Sequence, residues 1–488
     1  MIIKTDQEII QNYLSDAANI KGFCDSVYIP ENEKDIVEIF KSCNINKTPI
    51  TISGNGTSLT GARVPKGGIV VSTEKLNNII EINTQHNYAV IQPGVLLSEF
   101  KSKVEEKNLF YPADPTEQNC FIGSTVATNA SGARTFKFGS TRNFILELKI
   151  VLSTGEILIL KRGQNFAVNN KISVKTENSR IINFTIPEIK MPETKNTAGY
   201  YCKNNMDVID LFIGSEGTLG FIYEIKVKLL PYPERFFSTI LFFENLDNSL
   251  QFINNLVKLS KTDSIIKPSA IEFFDEKSLS FLKEDFPQIP IDKKAAVWIE
   301  QDSTNLDFDN IFNLYIQLFD KYNINLDTAW VANNNPELVL FQNFRHAVSA
   351  KVSEYIVKHN LTKVGTDLAV PLDNFYSFYT QSICIVNSAG INYVAYGHFG
   401  NSHLHLNMLP INNQQLNAAK QIYMDLNKLA LFFKGTISAE HGIGKLKTNY
   451  LLLMYGEDVI KKFAEIKKVF DPNLILCIGN IIEPKYFT

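Results

Sequence analysis

The sequence predicts an α+β protein of two domains, and three observations carry that expectation. At 488 residues the chain is longer than one hydrophobic core supports. Up to Pro231, short apolar runs alternate with loops built from Gly, Ser, Thr and Asn. Beyond Pro231 and Pro233 the texture changes: short strands such as "FFSTILFF", "SAIEFF", "KAAVWIE" and "YVAYGHF" alternate with long amphipathic helices such as "NIFNLYIQLFDKY". That pattern predicts helices on one face of an antiparallel sheet.

The elements follow in order. Residues 1–30, opening "MIIKTDQEIIQNYLSDAANIKG", read as an amphipathic helical segment rather than a signal peptide. Residues 31–232 form the first domain. There Ile36, Ile39, Phe40 and Cys43 have helical spacing, so a helix packs on a sheet. "TPITI" is a strand entering the loop "SGNGTSLTG", and strands follow in "GGIVVST" and "YAVIQPGV". In "FILELKIVLSTGEILIL" the alternating Leu146, Leu148, Ile150 and Leu152 meet a turn at Thr154-Gly155, which predicts a hairpin. Residues 233–435 form the second domain. Residues 436–488 are expected to be mostly helical and to return to the first.

Composition narrows the function classes. A net charge of −3, with 45% hydrophobic and 20% charged residues, gives no electrostatic reason to expect nucleic acid or an anionic membrane. No apolar run approaches the ~20 residues needed to span a bilayer. The six cysteines are scattered without a CxxC pair, which argues against a zinc ribbon, an iron–sulfur cluster or a disulfide framework. A cytoplasmic enzyme with reduced thiols is the expectation.

"SGNGTSLTG" begins Gly-x-Gly, but Leu59 stands where a dinucleotide fingerprint has its third glycine, and no Gly-Lys-Ser/Thr follows. Two further runs of small and hydroxylated residues, "YPADPTEQNCFIGSTVATNASGARTFKFGSTRN" and "IGSEGTLGFI", make it part of a set. Small residues let backbone N–H groups approach an extended ligand, and successive N–H groups form anion nests. Three such segments suit a long ligand carrying a pyrophosphate. Together with "KNTAGY", these segments resemble, in order and spacing, the FAD-binding domain of vanillyl-alcohol oxidase and its relatives. The resemblance implies that fold, with an α+β substrate cap, and FAD contacts at Gly54, Asn55, Gly56, Thr57, Ser58, Leu59, Asp114, Thr116, Ile122, Gly123, Thr125, Thr128, Asn129, Gly132 and Ile222. Gly61-Ala62 and Gly123-Ser124-Thr125 depart from the family's Gly-Gly and Gly-Gly-Asn but keep small or hydroxylated residues. No loop contains a histidine, so no covalent flavin link is expected.

"YGHFGNSHLHLNML" gathers His398, His403 and His405 in a chain with seven histidines, and His441 follows Glu440 in "SAEHGIGK". Residues two apart on a strand share a face, so His403, His405 and Asn407 point together while Leu404 and Leu406 point away. The turn "FGNS" brings His398 beside them. His398 and His405, joined by Glu440, would make a His-His-carboxylate set suited to Zn²⁺, Mn²⁺ or Fe²⁺, the other reading of the stretch being a hydrogen-bonded surface. "GHFGNSHLHLN" resembles the "GHxGDGNxHxN" signature, and "ISAEHGIGKLK" the "SxEHGxG" signature, of the D-2-hydroxy-acid dehydrogenases. D-lactate dehydrogenase, D-2-hydroxyglutarate dehydrogenase and the flavoprotein subunit of glycolate oxidase belong to that branch, and the resemblance covers essentially the whole chain. It implies His398, His405 and Glu440 as metal ligands (zinc or manganese), His441 as catalytic base, Asn407 as a substrate contact and Arg345, in "LFQNFRHAVSAKVSEY", as the partner of the substrate carboxylate. Asn401, Ser402 and His403 replace Asp, Gly and Asn. His403 is read as a strand histidine with its hydrogen bonds met, in preference to an added polar contact.

The implied reaction oxidises a 2-hydroxy acid to a 2-oxo acid. A cation binding the hydroxyl favours the alkoxide, a neutral histidine accepts the proton, and the flavin takes the hydride. Glutarate-type enzymes of the branch place a lysine before the Asp-Leu of "GTDLAVP"; here Gly365 stands there, with Lys363 two residues earlier. D-lactate is therefore the first expectation, with D-2-hydroxyglutarate or glycolate behind it. Cys477 replaces the family's flavin-approaching Asn. Electrons are expected to leave to a separate acceptor: a quinone, an electron-transfer flavoprotein, a cytochrome or oxygen. Peripheral membrane association and a homodimer stay open, as do three other readings: an oxidase of sugars or aromatic alcohols, a flavin-binding subunit without activity, and a metal-dependent hydrolase.

Overall fold

A computed structural model describes residues 1–360 and 362–487. The expected helix at the N-terminus does not form. Ile2–Lys4 is instead a strand, antiparallel to Ser26–Ile29, followed by a short 3₁₀ turn at Ile9–Tyr13. The β-branched Ile2-Ile3 pair fits a sheet edge, and Ile10, Tyr13 and Leu14 bury against Val27 and Val70.

Two sheets build the first body. A four-stranded sheet has Ser26–Ile29 and Ile50–Ser53 parallel to, and on either side of, Ile69–Ser72. The helix Glu33–Asn46 makes the crossover. It starts where the Asn32 side chain accepts from the Asp35 N–H at 3.0 Å, and it buries Ile36, Ile39, Phe40 and Cys43 as their spacing requires. A five-stranded antiparallel sheet orders Ile79–Asn83, Tyr88–Ile91, Phe221–Lys228, Ile145–Val151 and Ile157–Lys161. Its last two strands form the hairpin expected at Thr154-Gly155. The helix Thr448–Phe470, kinked at Gly456, packs Leu451, Phe463 and Phe470 into the same apolar cluster as Ile91, Leu148 and Ile225. Cys477 N–H then donates to Ile50 C=O at 2.7 Å, so the chain's end closes on the first body.

The second body is one large antiparallel sheet. Trp330–Val331, Arg235–Phe243, Ala295–Ser303, Ala270–Asp275, Asn392–Gly397 and His403–Leu409 lie side by side, and Val364–Gly365 and Leu368–Ala369 add to the last. Helices cover both faces, not one. Along Arg235–Phe243, Phe237 and Leu241 pack with helices Leu246–Thr262 and Phe308–Lys321, while Ile240 and Phe242 pack with Glu276–Leu282 and Asn335–Lys358. Every residue from Phe237 to Phe243 is buried, on both faces of the strand, and that demands cover on both sides. Among the described residues no helix is long and apolar enough to cross a membrane.

Candidate active site between the two sheets

The histidine stretch is a hairpin. Asn392–Gly397 runs antiparallel to His403–Leu409, placing Tyr396 opposite His405. Gly397 takes φ 145°, and a Cβ there would lie 2.6 Å from the His403 carbonyl oxygen, so only glycine closes this turn. Ser402, at φ 53°, completes the reversal. His398 therefore returns beside His405, their ring centres 5.4 Å apart.

Glu440 reaches the hairpin from the first body's side. Its Oε1 lies 3.3 Å from His398 Nε2 and its Oε2 3.5 Å from His405 Nε2. Those separations exceed a charge-assisted hydrogen bond and match the ~3.4 Å edge of a tetrahedron with ~2.1 Å arms, the spacing of nitrogen and oxygen ligands around a divalent ion. His398, His403, His405 and Glu440 each offer a ligand atom within 4.8 Å of the others. The donor set fits such an ion.

Outer groups orient these side chains. His398 Nδ1 donates to Glu272 at 2.7 Å, turning Nε2 toward Glu440. Burial opposes protonation of His398, but the Glu272 and Glu440 carboxylates raise its pKa. Glu440 is itself buried, yet His398 and Lys195 hold its carboxyl well below the usual range. Lys195 contacts Glu440 Oε1, and Ser131 Oγ donates to the same oxygen at 3.1 Å. Arg345, buried in helix Asn335–Lys358, donates through Nε to Glu272 at 3.2 Å and lies 2.7 Å from His346 Nε2. One carboxylate thus ties the arginine to a histidine of the cluster.

The "SAEHG" loop is shaped by Asp367, which is 1% exposed. It accepts from the N–H groups of Glu440 and His441, each at 3.0 Å, from Ser438 Oγ and Lys447 Nζ, each at 2.8 Å, and from His403 Nε2 at 3.1 Å. His441 stacks on His405 with ring centres 5.8 Å apart and keeps 30% of its side chain exposed. Burial pulls its pKa down to about 4, against the opposing charge of Asp367, so the ring is neutral near pH 7. Asn407 is 3% exposed; its Oδ1 faces Gly365 and its Nδ2 has no hydrogen-bond partner among the described residues. The expectation that the hydrogen bonds of His403 are met holds for Nε2, on Asp367, while buried Nδ1 has no partner among the described residues.

The glycine loops meet along one side of the first body. Asn55 Nδ2 donates to Asn119 C=O at 2.7 Å, and Gly54 abuts Ser124 so closely that a Cβ would lie 2.1 Å from its Oγ. Gly56, at φ 82°, lies against Arg63, with half-buried Thr57 and Ser58 after it. Leu59, 41% exposed, and exposed Thr116 lie at the rim. Ile122, Thr125 and Thr128 are on the helix Ile122–Thr128, with Gly123 packed on Pro93. Asn129 caps that helix in the left-handed region and accepts from Ser140 and Arg142. A Cβ on Gly132 would lie 1.7 Å from the Asp114 carbonyl oxygen. Asp114 pairs with Lys101 at 2.5 Å. Ile222 packs on the apolar cluster that holds Ile122. Ser131, one residue from Gly132, touches Glu440, which joins the loops to the histidine cluster.

Glu272, Lys195 and Asp367 escape a reading of site residues from sequence. A carboxylate inside the wholly buried strand Ala270–Asp275 is the signal for Glu272, since a buried charge requires partners.

Residues 24–161 match the family described as FAD binding domain, and residues 233–481 match FAD linked oxidases, C-terminal domain. The chain is 29% identical over 464 residues to the glycolate oxidase subunit GlcD of Bacillus subtilis (strain 168), covering 94% of this chain and 88% of that one. It is 29% identical over 485 residues to a D-lactate dehydrogenase of Anaerostipes hadrus (97% and 93%), and 26% identical over 474 residues to a D-2-hydroxyglutarate dehydrogenase of Stutzerimonas stutzeri (strain A1501; 93% and 90%). An alkyldihydroxyacetonephosphate synthase structure superposes with a TM-score of 0.69 at 15% identity, over 97% of this chain and 81% of that one, and so shares the fold. That fold is of the vanillyl-alcohol-oxidase type, and with the second match spanning half of its residues the chain belongs to the FAD-linked oxidases.

Proposed function

We propose that this oxidoreductase converts a D-2-hydroxy acid, D-lactate first, to its 2-oxo acid, with residues 31–232 and 436–488 holding FAD and residues 233–435 holding the substrate. The flavin supplies a hydride acceptor and a divalent zinc or manganese ion a Lewis acid. His398, His405 and Glu440 would hold the ion. His441, neutral at working pH, takes the hydroxyl proton on a ring nitrogen. Arg345 offers its remaining N–H groups to the carboxylate as a fork, and Asn407 Nδ2 donates to a substrate oxygen. A separate acceptor (quinone, electron-transfer flavoprotein or cytochrome) receives the electrons. The observation that carries the reading is the run of contacts from Arg345 through Glu272 and His398 to Glu440, which sets a carboxylate-binding group beside a metal-ligand set.

One observation favours a dicarboxylate instead. Lys363 Cε lies 3.2 Å from the position a Cβ would take on Gly365, beside Asn407, so the lysine crosses the space left by the glycine. An acid with a second carboxylate, such as D-2-hydroxyglutarate, has a cation there to meet it.

Anaerobic flavin bleaching with a panel of D- and L-hydroxy acids tests the proposal. D-lactate bleaches the unaltered protein, while His441→Ala stays yellow and folded without bleaching. Normal bleaching of His441→Ala overturns the base, and preference for D-2-hydroxyglutarate selects the second reading.

A further inference from the structure

We infer that His403 is a fourth protein ligand, making the centre three imidazoles and one carboxylate. The inference rests on the proposed reading of His398, His405 and Glu440 as ligands and extends it to a residue that departs from the family signature. Side chains two apart on a strand start about 6.8 Å from one another. The rings of His403 and His405 nevertheless stand 4.3 Å apart, so they lean toward a common point. His403 and His398 are 5.3 Å apart, and His398 and His405 5.4 Å. With nitrogen at ~2.1 Å from an ion and the ring centre ~1.1 Å further out, two imidazoles lie about 4.5 Å apart at a right angle and about 5.2 Å at the tetrahedral angle. The three separations sit around those values.

The chemistry of the ring agrees. Asp367 is wrapped by donors, so it accepts from His403 Nε2–H, and the lone pair is left on Nδ1. That nitrogen is fully enclosed, with the whole residue 0% exposed, and no group among the described residues donates to it. An enclosed lone pair is costly unless a donor, a water or a cation meets it, and here the groups around it are three others of metal-ligand type. The Asp367–His403 pair then plays for Nδ1 the orienting part that Glu272 plays for His398 Nε2. Four protein ligands close a tetrahedral zinc site, whereas a six-coordinate ion such as Mn²⁺ keeps two positions for a substrate's hydroxyl and carboxylate oxygens.

X-ray absorption on the full FAD-loaded chain with one equivalent of Zn²⁺ or Mn²⁺ counts imidazoles directly. Three are expected in the unaltered protein and two in His403→Asn. Outer-group losses weaken metal binding roughly 10–100-fold, so loss of a direct ligand is expected to exceed about 100-fold in chelator competition. Two imidazoles in the unaltered protein, no bound metal, or an affinity in His403→Asn within about threefold of the unaltered value each overturn the inference. If the variant does not fold, the count on the unaltered chain decides. Flavin bleaching reads the proposed oxidation separately: normal bleaching with a two-imidazole centre sinks this inference alone, and a three-imidazole centre without bleaching sinks the oxidation alone.

Discussion

Glu272→Gln isolates the carboxylate that joins the two halves of the site. In the unaltered protein Glu272 accepts from His398 Nδ1, at 2.7 Å to one oxygen and 2.9 Å to the other, and from Arg345 Nε at 3.2 Å, all inside a strand without solvent. Glutamine keeps the shape but has one acceptor and one NH₂ group. Whichever way the amide turns, either His398 Nδ1–H or Arg345 Nε–H faces a donor. Removing one partner of a buried charged pair costs about 3–5 kcal/mol of stability. The share that reaches the site is the lost orientation of His398, a 10–100-fold fall in metal affinity or about 1.4–2.8 kcal/mol. Chelator competition on the FAD-loaded protein reads that fall, and the KM for D-lactate reads the loosened Arg345. A variant whose metal affinity and KM both stay within about twofold of the unaltered values refutes the coupling.

Three more expectations follow from the same geometry. Arg345→Lys loses the fork and the Nε contact to Glu272, so KM for the hydroxy acid rises roughly 10–100-fold with a smaller change in kcat; an unchanged KM would place the carboxylate elsewhere. Gly132→Ala forces a methyl group to 1.7 Å from the Asp114 carbonyl, so the loop shifts and the purified protein loses its yellow colour with its far-ultraviolet circular dichroism retained; an unchanged flavin-to-protein ratio would refute this. Burial alone would raise the pKa of Asp114, but Lys101 and Arg134 hold it well below the carboxylate range. The unfolded chain therefore takes up the proton first, and this stabilisation is present above about pH 4 and lost as the pH falls through the folded value. Asp114→Asn is expected to cost roughly 2 kcal/mol near pH 6 and progressively less toward pH 3 in urea denaturation, and a pH-independent cost would sink the ion-pair argument.

Local chemistry in the sequence determined a great deal. The Thr154-Gly155 hairpin and the helix at Glu33–Asn46 follow from contacts within a few residues, and so they were legible from spacing alone. The strand pairing of His403, His405 and Asn407 was legible for the same reason, because alternation is a property of the strand itself. Only the tertiary structure decided what enters that hairpin from elsewhere. Glu440 arrives from 35 residues beyond His405, Glu272 from 126 residues before His398, and Asp367 reaches His403 across 36. It likewise turned the first residues into an edge strand and covered both faces of the second sheet, since pairing and burial depend on neighbours that propensity does not see. The unpartnered nitrogen of His403 belongs to this second class. A histidine's residue type announces a lone pair, but whether a donor, water or a cation meets it is settled by the groups that the fold packs around it.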